Sequence, residues 1–93
     1  LFRSASKLTD KGLEALAISC AFSLRILDLS YASTITDAGV KQLANCKVLE
    51  ELRLEGCEQI THQGLDTVVE GCKQLTRVNF SGMIHICLHL GSG

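Results

Sequence analysis

The most constraining feature of this sequence is a stretch at residues 35–59 that recurs on both sides, at residues 8–34 and 60–83. Every copy has Leu or Ile followed by Thr, a glycine three positions beyond that Thr, a cysteine, and a run with the approximate spacing L-x-x-L-x-L. The last apolar residue of each run defines a column of Phe2, Leu29, Leu54 and Phe80, separated by 27, 25 and 26 positions. Periods of this length are typical of arrays in which each repeat packs on its neighbours. We therefore predict a solenoid of about three repeats.

The repeat boundaries divide the 93-residue chain, which is one domain at most by its length. We assign a partial repeat at 1–7, repeats at 8–34, 35–59 and 60–83, and a divergent tail or partial repeat at 84–93. Solenoids normally shield their ends with polar caps. None is visible, so we expect a fragment of a longer array. The pattern fails beyond Phe80, and we expect the tail to carry little structural weight or to lie outside the native coding sequence.

Each repeat is expected to begin with a helix, because its apolar residues recur at steps of three and four. These stripes are Leu13, Leu16, Ala17 and Cys20, then Val40, Leu43, Ala44 and Cys46, then Leu65, Val68, Val69 and Cys72. The helices open with Thr9-Asp10, Thr36-Asp37 and Thr61-His62. Thr or Asp can accept hydrogen bonds from the first free amides of a helix. A glycine in each first turn (Gly12, Gly39 and Gly64) predicts close packing against a neighbouring repeat.

A short strand is expected after each helix, at Arg25–Leu29, Glu50–Leu54 and Thr76–Phe80. Side chains alternate between the two faces of a strand. The residues predicted to face the core are Leu27, Leu29, Leu52, Leu54, Val78 and Phe80. The predicted fold class is therefore α/β, with short parallel strands on the concave face of the solenoid and helices on its convex face.

The opposite face of these strands is polar. Its columns across neighbouring strands are Ile26–Glu51–Arg77, Asp28–Arg53–Asn79 and Ser30–Glu55–Ser81. Opposite charges meet within the first two columns, and such exposed pairs contribute only about 0–1 kcal/mol each. These charged residues therefore either bind a partner or only form ion pairs with each other across neighbouring strands. Interface hot spots favour Trp, Tyr and Arg, and the predicted partner-binding residues are Asp28, Tyr31, Glu51, Arg53, Glu55, Arg77 and Asn79.

The cysteines follow the repeat rather than a disulfide framework. There are five of them, an odd number, and Cys20, Cys46 and Cys72 recur once per repeat within the apolar stripes. Free cysteine is among the most buried residue types. We predict reduced, buried thiols that serve packing, and hence a cytoplasmic or nuclear location.

Several classes of function receive no support from the sequence. The net charge is −1, from 9 basic and 10 acidic residues, which does not favour a nucleic-acid surface. No apolar run approaches the roughly 20 residues of a membrane span. Catalytic motifs and phosphate-binding glycine runs are missing, so we expect no enzyme, no cofactor and no small-molecule substrate.

The end of the chain contains three residues of types that bind metal ions. His85, Cys87 and His89 alternate on one side of residues 84–90, and zinc accepts these ligand types. Consecutive residues on one side of a strand lie about 6.6 Å apart, so three of them converge poorly on one ion, and a fourth ligand is missing. We predict no metal site.

The repeats resemble the cysteine-containing subfamily of leucine-rich repeats, over about residues 8–83. The closest copy of that pattern is Cys46, Leu49, Leu52, Leu54, Cys57, Ile60, Thr61, Gly64 and Leu65. Departures are His62 in place of Asp, and Ala5, Ala32 and Met83 in place of the second cysteine, where the residue stays apolar. The resemblance implies a leucine-rich-repeat solenoid fragment whose curved surface binds a protein partner, next to further repeats of a longer array.

That subfamily occurs mostly in F-box proteins, the substrate-recognition subunits of cullin-type ubiquitin ligases. The resemblance thus implies the substrate-binding repeats of such a subunit. The alternative is a structural subunit of a large assembly, such as a ciliary or cytoskeletal complex. The F-box is a separate helical segment that this chain does not resemble, so an F-box upstream would favour the first hypothesis and a coiled-coil or scaffold segment the second.

Overall fold

A computed structural model of the chain describes residues 2–3 and 8–80, with side chains from residue 8 onward. Its elements are β1 (Phe2–Arg3), α1 (Asp10–Ser19), β2 (Ile26–Asp28), α2 (Asp37–Val40) continued by a 3-10 helix (Lys41–Asn45), β3 (Glu51–Arg53), α3 (His62–Gly71) and β4 (Arg77–Asn79). Each predicted repeat from residue 8 onward thus supplies a helical segment followed by a strand. Within these residues, no helix has the length and apolar character needed to cross a membrane. The predicted tail at 84–93 lies outside the described residues.

The four strands form one parallel sheet in chain order, β1-β2-β3-β4. Leu27 is in register with Leu52, and Leu52 with Val78, which confirms the predicted columns Ile26–Glu51–Arg77 and Asp28–Arg53–Asn79. The third predicted column contains Ser81, which lies outside the described residues. The predicted column for Phe2 is wrong, because Phe2 pairs with Leu27 and not with Leu29. The sheet keeps the offset of 25 residues that also relates Leu27 to Leu52, whereas matching apolar residues alone placed Phe2 two positions too far along.

The predicted strand faces are confirmed, although each strand is shorter than expected. Strands β2, β3 and β4 have three residues each, but hydrogen bonds between neighbouring strands continue past their ends. The Leu29 amide donates to the Arg53 carbonyl at 2.8 Å, and the Leu54 amide donates to the Asn79 carbonyl at 2.6 Å. The inward residues Leu27, Leu29, Leu52 and Leu54 are fully buried, while Val78 and Phe80 are partly buried against the same core.

The second repeat builds its helical segment differently from the other two. Ten positions separate Thr36 from Cys46, against eleven in the first and third repeats. The α-helix there ends at Val40, and a 3-10 helix completes the segment. A 3-10 helix rises about 2.0 Å per residue, compared with 1.5 Å in an α-helix. The tighter winding therefore spans a similar length with one residue fewer.

The predicted apolar stripes are buried in part. Leu13, Ala17, Val40, Leu43, Cys46, Leu65, Val68 and Cys72 are buried, as predicted. Leu16 and Cys20 only pack partly against the core. The prediction for Val69 is wrong, since it is 40% exposed. Val69 follows Val68 directly, and successive side chains of an α-helix point about 100° apart, so the two cannot share the narrow stripe that faces the strands.

The repeats are joined by a ladder of carboxylates at the helix starts. The predicted threonine caps are confirmed, for example where the Gln63 amide donates to Thr61 Oγ1 at 3.3 Å. The aspartate after each of the first two caps turns to the next repeat instead of capping its own helix. Asp10 accepts hydrogen bonds from the amide and hydroxyl of Thr36 at 2.8 and 2.6 Å, and Asp37 accepts the equivalent pair from Thr61.

Two glycines leave the space that these carboxylates occupy. A Cβ atom on Gly39 would lie 2.9 Å from Asp10 Cγ and 3.0 Å from its Cα. On Gly64 it would lie 2.9 Å from Asp37 Cγ and 3.1 Å from its Cα. Side chains essentially never come this close, so the predicted approach between neighbouring repeats is confirmed at both positions. The equivalent Cβ on Gly12 would come closest to a methyl group of its own repeat.

Cys46, Cys57 and Cys72 contact the preceding repeat. Cys46, Cys57 and Cys72 are buried and Cys20 is partly buried, all four as free thiols in the described part of the chain. The Cys57 thiol donates to the Leu29 carbonyl at 2.9 Å, and the Cys72 thiol donates to a carbonyl of the second repeat at 3.1 Å. Burial raises the pKa of all three buried thiols, that of Cys46 to about 11. These thiols therefore fill the core as neutral groups.

These raised pKa values predict a loss of stability in alkali. The unfolded Cys46 thiol ionises near pH 9.0, whereas the folded protein holds its proton until about pH 11. The contribution of the neutral Cys46 thiol to the free energy of unfolding is therefore complete below pH 9. It is lost as the pH rises through the pKa of the folded protein. We expect the free energy of unfolding, measured by urea denaturation, to fall across this window. The fall should be shallower in Cys46→Ala, and an identical slope in both proteins would contradict the assignment.

Candidate partner-binding surface

The outward side chains of the sheet, with those of the turns that follow it, form what we call the polar strand face. Its described members are Ile26, Asp28, Ser30, Tyr31, Glu51, Arg53, Glu55, Arg77 and Asn79. All seven predicted partner-binding residues lie on it. The register brings Asp28 beside Arg53 and Glu51 beside Arg77, as predicted. Binding of a partner by these residues remains a prediction.

Arg53 lies at the centre of this face and connects two strands. Its Nε donates to Glu51 Oε2 at 2.5 Å, and one terminal nitrogen lies 4.0 Å from Asp28 Oδ2. The hydrogen bond and negative charge of Glu51 raise the pKa of the Arg53 guanidinium, to which Asp28 adds a smaller effect. Glu51 also reaches Arg77, with 3.8 Å between the charged atoms. The guanidinium of Arg53 is therefore held in one orientation while its side chain stays 37% exposed.

The acidic members of this cluster are less exposed than predicted. Asp28 is 9% exposed, and the Glu51 side chain is only 16% exposed. Asp28 accepts a hydrogen bond from the Ser30 amide at 2.9 Å, which ties its carboxylate to the turn after β2. A carboxylate in such surroundings needs its partners, so Asp28 orients Arg53 rather than offering a free charge to a ligand.

Sequence reasoning missed an ion pair at the start of the strands. Arg25 binds Glu50 with 2.9 Å between Nη2 and Oε2. The register predicts this pair, because Arg25 and Glu50 each precede a residue of the Ile26–Glu51 column. Glu50, Glu51 and Arg77 also line a shallow pocket with Ile26 and Thr76. Glu50 is thus a further acidic residue beside the polar strand face.

Tyr31 and Glu55 form the other end of the face, after the strands. The Tyr31 hydroxyl donates to Glu55 Oε1 at 3.1 Å, and this bond together with the Glu55 charge raises the pKa of Tyr31. Tyr31 has a φ of 63°, the left-handed conformation that is unusual for a residue other than glycine. Its ring lies over Gly56, where an added Cβ would be 2.5 Å from Tyr31 Cδ1. The ring is therefore positioned while Tyr31 as a whole is 65% exposed.

An exposed aromatic residue outside the face was also missed. Phe22 is 83% exposed and lies in the turn between α1 and β2. Four positions separate Cys20 from Leu24 there, against three between Cys46 and Leu49. The first repeat thus carries one extra residue in this turn. The spacing of cysteine to leucine could have predicted an irregular turn at this point.

The described residues contain no group of three or more His, Cys, Asp and Glu side chains that could hold a metal ion. His85, Cys87 and His89 lie outside the described residues.

Comparison with known families gives a match for part of the chain. A family model described as Leucine Rich repeat matches residues 21–44. The match supports a leucine-rich-repeat family. The matched residues include strand β2, the turn at Tyr31 and the start of the helical segment capped by Thr36. Together these elements form one strand and one helix start of the repeating structure. A leucine-rich repeat of this kind suggests a protein–protein interaction module.

Proposed function

We propose that this leucine-rich-repeat chain recognises a protein partner through the polar strand face, without catalysis. The supporting observation is the arrangement around Arg53, whose guanidinium is held by Glu51 and Asp28 yet remains accessible. Holding a charged side chain in one orientation before binding reduces the entropy lost on association. Arginine is also among the residues that most often dominate interface energies. Arg53 is therefore the proposed centre of the interface, with the 79% exposed Arg77 side chain beside it.

We further propose that the partner is a ubiquitin-ligase substrate, and that the protein acts in the cytoplasm or nucleus as an F-box-type subunit. The support is the resemblance of the repeats to the cysteine-containing subfamily, together with the buried free thiols Cys46, Cys57 and Cys72. Reduced thiols suit a reducing compartment. In such a subunit the F-box would bind the ligase adaptor, and the repeats would bind the substrate.

The test is capture of the full-length protein that contains this chain from its own cells, followed by quantitative mass spectrometry. We expect the ligase adaptor and cullin to be captured with a set of candidate substrates. Replacing the interfacial arginine in Arg53→Gln should reduce the captured substrate at least tenfold, which corresponds to about 1.4 kcal/mol. The adaptor and cullin should be captured equally by both proteins, because the F-box is a separate segment.

Lys11→Gln is the matched control, since it removes one exposed positive charge from α1, away from the strands. It should capture the same partners as the parent protein. A stoichiometric set of structural subunits without ligase components would overturn the F-box proposal and favour a scaffold. Substrates retained equally by Arg53→Gln and by Arg77→Gln would place binding outside the polar strand face.

A further inference from the structure

We propose that Tyr31 and Glu55 form a subsite that receives a cationic side chain of the protein partner, arginine in preference to lysine. This inference rests on the proposed function, because it assigns partner chemistry to one end of the polar strand face. It is carried by three observations: a carboxylate that makes no ion pair with the described residues, an aromatic ring fixed beside it, and a backbone conformation that positions that ring.

The first observation concerns charge. Among the described residues, Asp28 and Glu51 each lie within 4.0 Å of an arginine side chain, and Glu50 lies 2.9 Å from Arg25. Glu55 has no such ion pair in this part of the chain, and the hydrogen bond that fixes it comes from the neutral Tyr31 hydroxyl. Arg53 is only two positions away, but its guanidinium is bound to Glu51. Glu55 is therefore the acidic group of this face that a partner's cation can neutralise.

The second observation concerns the ring. Tyr31 is 65% exposed, its hydroxyl is 3.1 Å from Glu55 Oε1, and one side of its ring lies against Gly56. A cation bound to Glu55 would lie beside an aromatic surface. Cations are attracted to aromatic faces within about 6 Å of the ring centre. Arginine suits this pair better than lysine, because its planar guanidinium can stack on a ring while it binds a carboxylate.

The third observation concerns the backbone. A left-handed conformation is unfavourable for a residue with a side chain such as tyrosine, because its Cβ comes too close to the following carbonyl oxygen. Tyr31 adopts it all the same, and Gly56 has a similar φ of 73°. The Tyr31 amide donates to the Glu55 carbonyl at 2.7 Å, which holds the turn against its neighbour. Strained residues cluster at ligand-contacting positions. This backbone conformation places the ring of the single tyrosine of the chain against Gly56, with its hydroxyl on the Glu55 carboxylate.

The experiment selects random peptides displayed on phage against the immobilised chain, then measures peptide affinities for defined variants. We expect the enriched peptides to share a basic residue, arginine more often than lysine, whose replacement by glutamine weakens binding about tenfold. Glu55→Gln should weaken binding of the original peptide by a similar factor. It should hardly change the affinity for the peptide in which the basic residue is replaced by glutamine. Such coupling in a double-mutant cycle identifies a direct contact. Tyr31→Asn removes the ring while keeping a residue that tolerates the left-handed conformation, and should also weaken binding.

Glu14→Gln is the control, because Glu14 is an exposed carboxylate on α1 and its removal should leave affinity unchanged. Peptides that are sensitive to Arg53→Gln but indifferent to Glu55→Gln and Tyr31→Asn would overturn the subsite and leave the proposed recognition face intact. Enriched peptides without a basic residue would also overturn the subsite while leaving the proposed recognition face intact. Peptides indifferent to every variant of the face, or a selection that yields none, would overturn both proposals.

Discussion

Replacing Leu52 by alanine is expected to remove a large part of the free energy of unfolding of the chain. Leu52 is fully buried in the middle of β3, in register with Leu27 on one side and Val78 on the other. Removing a buried leucine side chain costs about 2–5 kcal/mol through lost burial and the cavity that remains. At roughly 0.05–0.15 kcal/mol per residue, the 93 residues have a total stability of about 5–14 kcal/mol, so the substitution removes a large share of it.

Urea denaturation followed by circular dichroism measures this loss. The control is Ile18→Ala, since Ile18 is 68% exposed on α1 and alanine is a better helix former than isoleucine. We expect the control to stay within about 0.5 kcal/mol of the parent protein, the range usual for surface substitutions. If Leu52→Ala denatures at the same urea concentration as the parent, Leu52 does not occupy the core and the strand register is wrong.

The strands and their faces could be predicted because the information is local and is repeated. Alternation along the predicted strand Glu50–Leu54 alone assigns Leu52 and Leu54 inward and Arg53 outward, and the same pattern recurs in two more copies. Repetition also fixes which residues share a column, since parallel strands from successive repeats stack at a nearly constant offset. Phe2 was misplaced because its partial repeat offers only a few residues to align.

The depth of the polar residues could not be predicted from alternation. The pattern places Asp28 on the outer face, but its burial depends on the neighbouring strand and on the hydrogen bond from Ser30. The direction of Asp37 is a similar case. Its position suits capping of its own helix, whereas the structure uses it to bind Thr61 of the next repeat. Both outcomes are set by contacts between repeats, which a single repeat does not contain.

The 3-10 helix of the second repeat and the left-handed backbone of Tyr31 could both have been predicted from a comparison of the repeats. The distance from Thr36 to Cys46 is one position shorter than that from Thr9 to Cys20. The second helical segment therefore cannot have the same structure as the first, and part of it forms a 3-10 helix. Tyr31 occupies the same position after its strand as Gly56. A glycine at a turn position often marks a positive φ, so the left-handed backbone of Tyr31 could have been suspected from the next repeat.

Replacing Gly64 by alanine is expected to destabilise the chain by about 2 kcal/mol or more. Alanine in a helix is favoured over glycine by about 1 kcal/mol, so helix propensity alone predicts the opposite result. The new Cβ would lie 2.9 Å from Asp37 Cγ and 3.1 Å from its backbone Cα, so Asp37 must move. Overpacking typically costs about 1–3 kcal/mol, and hydrogen bonds to a charged group contribute about 1.5–3 kcal/mol. Both losses oppose the gain in propensity.

Gly12→Ala is the matched control, because Gly12 holds the equivalent position in the first repeat. Its added Cβ would lie 2.8 Å from Leu8 Cδ1, the end of a flexible side chain that can move aside at small cost. We expect Gly12→Ala to be neutral or slightly stabilising in the same urea titration. A second check combines Gly64→Ala with Asp37→Ala. Once the carboxylate is gone, the added methyl group should cost much less than it does in the parent protein. Equal costs in the two backgrounds would show that the glycine is not needed for the ladder of carboxylates between repeats.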